Sequence, residues 1–312
     1  MKSGVIVLLS VCLALWLGFA HADNDAAPAP STQAKAPKAP NRGTLFRVRH
    51  RGNTAYLFGT IHVGQPAFFP LEEEVTRALA HAGKLVLEID IRKPEPFQLA
   101  LHKHGIYPVG ETVDRHLGPA TLVLLKQALQ EAAIPFDDVR HMKPWLLANM
   151  LASLDLERHG YQRSHGIEMF LLSLADKQAK EVQELESAEY QMSLFDTMSD
   201  AEQEQYLRET LAELGDGNAL KKAQALIDAW ARADGAAAET FMRNLLGETT
   251  ASSRFTHRVL LDKRNPEMAS KIEALLHNEE TTFVGVGLLH MVGDTGVPTL
   301  LRRMGYDVEK LY

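Results

Sequence analysis

Cysteine is almost missing from this chain. The single one among 312 residues, Cys12, lies inside an apolar run at the N-terminus. Val11 before it is too bulky for the small residue that usually precedes a lipidated cysteine, and the apolar run continues past it, so no lipid is expected there. With that leader removed the chain has no thiol. Disulfides, a thiol nucleophile and cysteine-ligated zinc are all excluded, and any metal must be held by His, Asp or Glu. Aromatic residues make up only 7%, and positive charge is in the minority: 33 Lys and Arg face 40 Asp and Glu, a net −7 that becomes −8 when Lys2 leaves with the leader (32 against 40). Such a balance argues against nucleic acid or an anionic membrane surface as the main partner. Several catalytic signatures are missing too. There is no G-x-S-x-G elbow, no P-loop and no H-E-x-x-H, and the run from Gly285 to Leu289 fails the dinucleotide fingerprint because His290 stands where its last glycine belongs. Serine hydrolase, nucleotide hydrolase, zincin and NAD enzyme all lose ground.

What is present is a globular chain, 46% hydrophobic and long enough to bury a real core. Its first 22 residues read as a secretory signal peptide: Lys2 is a positive start, Val5 to Leu17 is an apolar stretch short for a membrane span, and Ala20-His21-Ala22 fits a small-x-small cleavage site. Cleavage after Ala22 places the protein in the periplasm or outside the cell, with no membrane span left; an uncleaved anchor is the alternative. Residues 23–43 form an Ala/Pro-rich linker, since Ala26 to Pro40 holds six alanines and four prolines and cannot build a core. The folded domain is then 44–312.

Within it, "LFRVRHRGNTAYLFGT" alternates, breaks at His50-Arg51-Gly52-Asn53 and resumes, as a hairpin does. Pro70 opens a helix to about Ala82, with Glu72, Glu73 and Glu74 at its positive end. "KLVLEIDI", Lys84 to Ile91, reads as a strand whose two acids, Glu88 and Asp90, share one face. Three-to-four spacing predicts helices over Thr121–Ala132, Trp145–Glu157, Ile167–Lys180, Tyr190–Met198, Ala201–Leu214 and Ala219–Ala233, with a capping box at Ser199 and Glu202. Lys180 to Glu186 is the one strand among them. A helix after Asn265, a strand over Thr281–Val286, a helix over Val297–Met304 and a closing strand "YDVEKL" complete the chain. The reading is an α/β fold, a mixed sheet interrupted by a large helical insertion, with its chemistry at the strands' carboxyl ends.

Two strand ends carry the same pattern. "TAYLFGTIHVG" and "TTFVGVGLLHMVG" each run apolar into Gly-x-x-His, ending at His62 and His290. Glycine permits a close turn there, with the imidazole projecting over the sheet. Glu88 in an apolar strand is costly unless paired or metal-bound. Together with Asp90 or Glu168 these make a two-histidine-plus-carboxylate inventory that suits Zn, Mn, Co or Fe. The plain alternatives are hydrogen-bonded strand-end histidines without a metal, an ordinary salt bridge for Asp90, a loop residue in His165, and a cap or buried ion pair for Arg264 and Asn265; Arg264 is also placed to orient Glu88 or an oxyanion.

"YLFGTIHVG", "LVLEID", "KPW" at Lys143, "HGIE" at His165, "ELES…Q" at Glu184, "KRNPEMASKI" at Lys263 and "VGVGLLHMVGDTGV" at Val284 together resemble the TraB/GumN family, relatives of the Tiki metalloproteases, over nearly all of 44–312. The resemblance implies the family's α/β type built on paired Gly-x-x-His motifs, and a metal-dependent protease activity using Mn or Co. Carried to this sequence, it makes His62, Glu88 and His290 the metal ligands. One position departs, because many relatives have Gly-Ile-Asp where this chain has Gly166-Ile167-Glu168. The resulting expectation is a metal-dependent hydrolase acting on a peptide or protein substrate, with Glu88 or Glu168 taking the proton. The competing expectation is a binding or scaffolding protein of the envelope, linked to polysaccharide export or signalling, that keeps the pocket without turnover.

Overall fold

In a computed structural model the described residues are 39–278 and 280–312. The signal-peptide reading and the linker as far as residue 38 lie outside them. Among the described residues no helix is long and apolar enough to cross a membrane.

Six strands form one mixed sheet: β1 (Leu45–His50), β2 (Asn53–Thr60), β3 (Lys84–Leu87), β4 (Glu181–Glu184), β5 (Thr282–Gly287) and β6 (Asp307–Lys310), in the order β4-β3-β5-β2-β1-β6. β1 and β2 are the expected hairpin. Their turn holds Arg51 and Gly52 at φ 48° and 95°, left-handed values that match the twist of two-residue hairpin turns. β2, β5, β3 and β4 run parallel, and helices fill the two crossovers on either side of β4. Side chains alternate between two cores. Phe58, Leu85, Leu87 and Phe283 face the large helical side with Trp145 and Trp230, while Leu57, Val86, Val284 and Val286 face Met268, Ile272, Leu275, Val297 and Leu301.

The parallel register decides where the chemistry can be. Thr60 pairs with Gly287 and Leu87 with Gly285, so β2, β3 and β5 end side by side. His62 lies two residues beyond one end, Glu88 one residue beyond the next and His290 three beyond the last. Trp230, fully buried on the helix Asn218–Ala231, donates its Nε1–H to the Gly59 carbonyl at 2.8 Å and thereby ties the helical part to the end of β2.

Besides shifts of two or three residues at helix ends such as Lys177 and Phe195, two boundaries differ from expectation for a physical reason. The strand at Lys84 stops at Leu87, so Glu88 and Asp90 do not sit on a strand face; β5 runs on beside β2 to Gly287, and Glu88 is left at the carboxyl edge of the sheet. The helix expected from Pro70 begins at Glu73, because Glu72 is fully buried and bonded to the Tyr312 hydroxyl rather than exposed in a first turn. The capping box at Ser199 and Glu202 forms as read.

Candidate functional site

Glu88 is the hub. Its Oε1 accepts the Gly287 N–H at 2.7 Å, and its Oε2 accepts from Arg264 Nη2 at 2.5 Å and from Gln191 Nε2 at 3.2 Å. Arg264 also donates to Glu186, from Nε to Oε1 at 3.0 Å and from Nη2 to Oε2 at 2.6 Å, while Gln191 closes the ring with 2.8 Å to Glu186. All of this is buried: the Glu88, Arg264 and Glu186 side chains are 8%, 3% and 0% exposed. One guanidinium therefore serves two carboxylates, with a two-pronged grip on one of them. Burial pushes the Glu88 carboxyl up, but the charge of Arg264 and the Gly287 N–H outweigh it and hold the group far below the usual carboxylate range.

His290 lies on a short turn, Leu288–Met291, beyond β5. Its Nδ1 is 2.5 Å from Oδ1 of Asn265, whose Nδ2 donates to the Thr295 carbonyl at 2.8 Å, and its Nε2 is 4.0 Å from Glu88 Oε1. Burial, and then the Arg264 charge, push this imidazole down to about 3, so it is neutral at ordinary pH. His62 follows β2 in a segment packed tightly on the turn before Glu168. A Cβ on Gly166 would stand 2.5 Å from the His62 carbonyl, and one on Gly64 would stand 2.1 Å from the His165 carbonyl, so glycine is required at both. His62 Nδ1 lies 2.9 Å from Oε1 of Glu168. Burial pushes Glu168 up, and the neighbouring His62 more than offsets this, leaving the carboxyl below its ordinary value.

The three sequence-predicted ligands converge on Gly287. A Cβ at that glycine would meet Glu88 Oε1 at 3.4 Å, the His290 ring at 3.6 Å and His62 Nε2 at 3.8 Å. Glycine thus floors a small cradle whose rim is two imidazoles and a carboxylate. That donor set fits a divalent cation of the Zn, Mn, Co or Fe kind. The spacing is looser than a closed coordination sphere: 4.0 Å between Glu88 Oε1 and His290 Nε2 exceeds the roughly 3.4 Å between two ligands of a tetrahedral ion bound at about 2.1 Å. Among the described residues no three His, Asp or Glu side chains already stand close enough to hold an ion.

Asp90 is drawn away from this centre into a two-pronged pair with Arg92, at 2.8 and 2.7 Å. The salt-bridge reading of Asp90 is the one the structure favours. His165 contributes its carbonyl to the packing against Gly64 and sits ahead of the helix Ile167–Lys177 that carries Glu168. Arg264 and Asn265 reach the site from the start of the helix Arg264–Leu276, directly after a widened π-helical segment, Thr256–Lys263. Pro266 has no N–H for the Asp262 carbonyl, and its ring crowds that group, which suits a widened turn just there. Glu186 and Gln191 were assigned no role by sequence reasoning. The available signal was their place in "ELES…Q", an acid flanked by apolar and small residues directly after a short strand.

A family model described as the TraB/PrgY/gumN family matches residues 44–310. The chain is 26% identical to the uncharacterized protein YbaP of Shigella flexneri, covering 83% of this chain and 90% of that protein. It is 25% identical to YbaP of Escherichia coli (strain K12), covering 79% and 87%. It is 23% identical to the metalloprotease TIKI1 of Danio rerio, covering 96% and 69%. No solved structure matches.

Proposed function

Because the chain belongs to the TraB/PrgY/gumN family, we propose that it is a metal-dependent hydrolase of the cell envelope, peptide bonds being its favoured substrate, with His62, Glu88 and His290 holding the cation. One observation carries the reading: three donors from three separate strand ends converge on a glycine that leaves room between them. The similarity to a metalloprotease supports it from outside the fold. A divalent cation supplies Lewis acidity, acidifying a water and polarising a scissile carbonyl.

The chain's own residues divide the remaining work. Arg264 and the Gly287 N–H keep Glu88 ionised and turn Oε1 towards the histidines. A carboxylate held so far below neutrality is a poor proton acceptor at pH 7, so Glu88 suits ligation better than general-base duty. Glu168 faces Nδ1 of His62, on the opposite side of the ring from the centre, and acts there by orienting the imidazole. Export through a signal peptide cut after Ala22 belongs to the same proposal.

The test is elemental analysis of the purified protein beside His62→Ala, His290→Ala and Glu88→Gln, with hydrolysis of a fluorogenic peptide library in Mn or Co. Near-stoichiometric metal in the parent, clear loss in each variant and metal-dependent cleavage by the parent alone are expected. Equal metal in all four proteins removes the site. Metal without cleavage of any peptide leaves a binding protein that keeps the pocket.

A further inference from the structure

The two edges of the Asn265 amide settle a question about His290. Nδ2 lies 2.8 Å from the Thr295 carbonyl oxygen, and a carbonyl can only accept, so that edge must be the NH2. The edge 2.5 Å from His290 Nδ1 is then the oxygen, which also can only accept. Nδ1 must therefore carry the proton. A neutral imidazole carries one, which leaves Nε2 with a lone pair, and Nε2 is the nitrogen on the Glu88 side.

We infer that Asn265 is a positioning residue that locks His290 in its Nδ1–H tautomer and so presents Nε2 to the centre; only the consequence for a cation rests on the function proposed above. Asn265 is 1% exposed and His290 is equally buried, so bulk water has little access to take over either bond. The Thr295 carbonyl is itself held by a tight turn. Gly296 donates its N–H to the Gly293 carbonyl at 3.2 Å, Gly293 has φ +80°, and a Cβ on Gly296 would stand 2.6 Å from the Val292 carbonyl. At the other end, the π-helical segment before Arg264 delivers two consecutive residues inward, Arg264 to the carboxylates and Asn265 to the imidazole. A loop carbonyl thus dictates, through one amide, which nitrogen of a histidine on the preceding turn is bare. Partners of this kind are what metal-binding histidines ordinarily have on their second nitrogen.

The experiment is ring-nitrogen NMR of protein labelled with 15N-histidine, in EDTA at pH 7, with the His290 signals identified by their loss in His290→Gln. The wild-type ring should show a protonated Nδ1 and a bare Nε2; a protonated Nε2 overturns the inference without any variant. Asn265→Ala removes the acceptor, and the ring should then populate the Nε2–H form. Asn265→Asp keeps an acceptor on Nδ1 while losing the donor to Thr295, and should keep the wild-type tautomer. Titration with Co(II), followed by absorbance, should show affinity falling by about 10–100-fold in Asn265→Ala, with most of it restored in Asn265→Asp. A purely structural Asn265 predicts the reverse grouping, with both variants equally impaired, because each loses the bond to Thr295. A wild-type tautomer in Asn265→Ala overturns the inference. A tautomer that shifts as expected, in proteins none of which binds Co(II), upholds it and rejects the metal reading instead.

Discussion

Replacing Arg264 with methionine removes one cation from a buried group that contains two carboxylates. The methylene stem is kept, so packing changes little, but Glu88 loses a 2.5 Å partner and Glu186 a two-pronged one. Removing one member of a buried ion pair destabilises by about 3–5 kcal/mol, a large part of the roughly 5–15 kcal/mol that keeps a domain folded. The pH dependence is the sharper signature. In the wild type Glu88 is depressed, so its contribution is present above the unfolded value of about 4.3 and is lost only as pH falls through the much lower folded one. Without Arg264, burial prevails and raises Glu88 in the folded state, and such a group recovers stability as pH falls. The deficit of Arg264→Met should therefore shrink on acidification, by about 1.4 kcal/mol for each unit by which the raised value lies above the measuring pH. Urea unfolding in EDTA at pH 7.5 and 4.5 measures it, provided the slopes against urea stay equal. A deficit under about 1 kcal/mol, or one that is the same at the two pH values, refutes the reasoning.

Two more outcomes follow from the geometry. Gly166→Ala puts a methyl 2.5 Å from the His62 carbonyl and 3.0 Å from that of Arg163, and should lose about 1–3 kcal/mol in thermal unfolding; Gly215→Ala, at a helical glycine with open space around it, should be neutral or gain about 0.5–1 kcal/mol, and equal behaviour of the two would contradict the close approach. His290, with a folded value of about 3 against about 6.5 unfolded, takes up its proton only on unfolding between those limits, so wild-type stability should fall as pH drops from about 6.5 to 3, by up to about 1.4 kcal/mol per pH unit; His290→Gln should remove that slope, and parallel pH profiles of the two proteins would show the imidazole to be less buried than described.

The hairpin, the parallel strands and the two Gly-x-x-His ends were legible because each depends on neighbours in sequence: alternation, turn residues, an apolar run. What escaped depends on something else. In "KLVLEIDI" alternation continues to Ile91, but pairing with β5 stops at Leu87 while β5 itself runs on beside β2 to Gly287, and nothing in the local pattern marks where a strand leaves its partner. The helix Pro94–Gly105 was not foreseen because Leu99, 65% exposed, interrupts the apolar stripe that Phe97 and Ala100 bury. The helix Gly235–Gly247 is bounded by two glycines, and the segment Thr256–Lys263 winds at a period to which a 3.6-residue pattern is blind. At the site, the pairing of Arg264 with Glu88 was anticipated, but Glu186, 78 residues from Arg264, and the contact of Asn265 with His290, 25 residues apart, were not, because no spacing rule connects residues at such separations.

The pairing of Thr60 with Gly287 has a consequence for how such a centre can change over time. His62 and His290 follow adjacent parallel strands, so the two strand ends from which they project are set by main-chain hydrogen bonds at the strand spacing of about 4.8 Å, which no side-chain replacement alters. The helices, by contrast, reach the centre through individual side chains such as Trp230 on Gly59, Arg264 on Glu88 and Asn265 on His290. The sheet works as a caliper and the helical part as its handle. A lineage can recut the handle to admit a different substrate while the caliper goes on holding two imidazoles at the same opening.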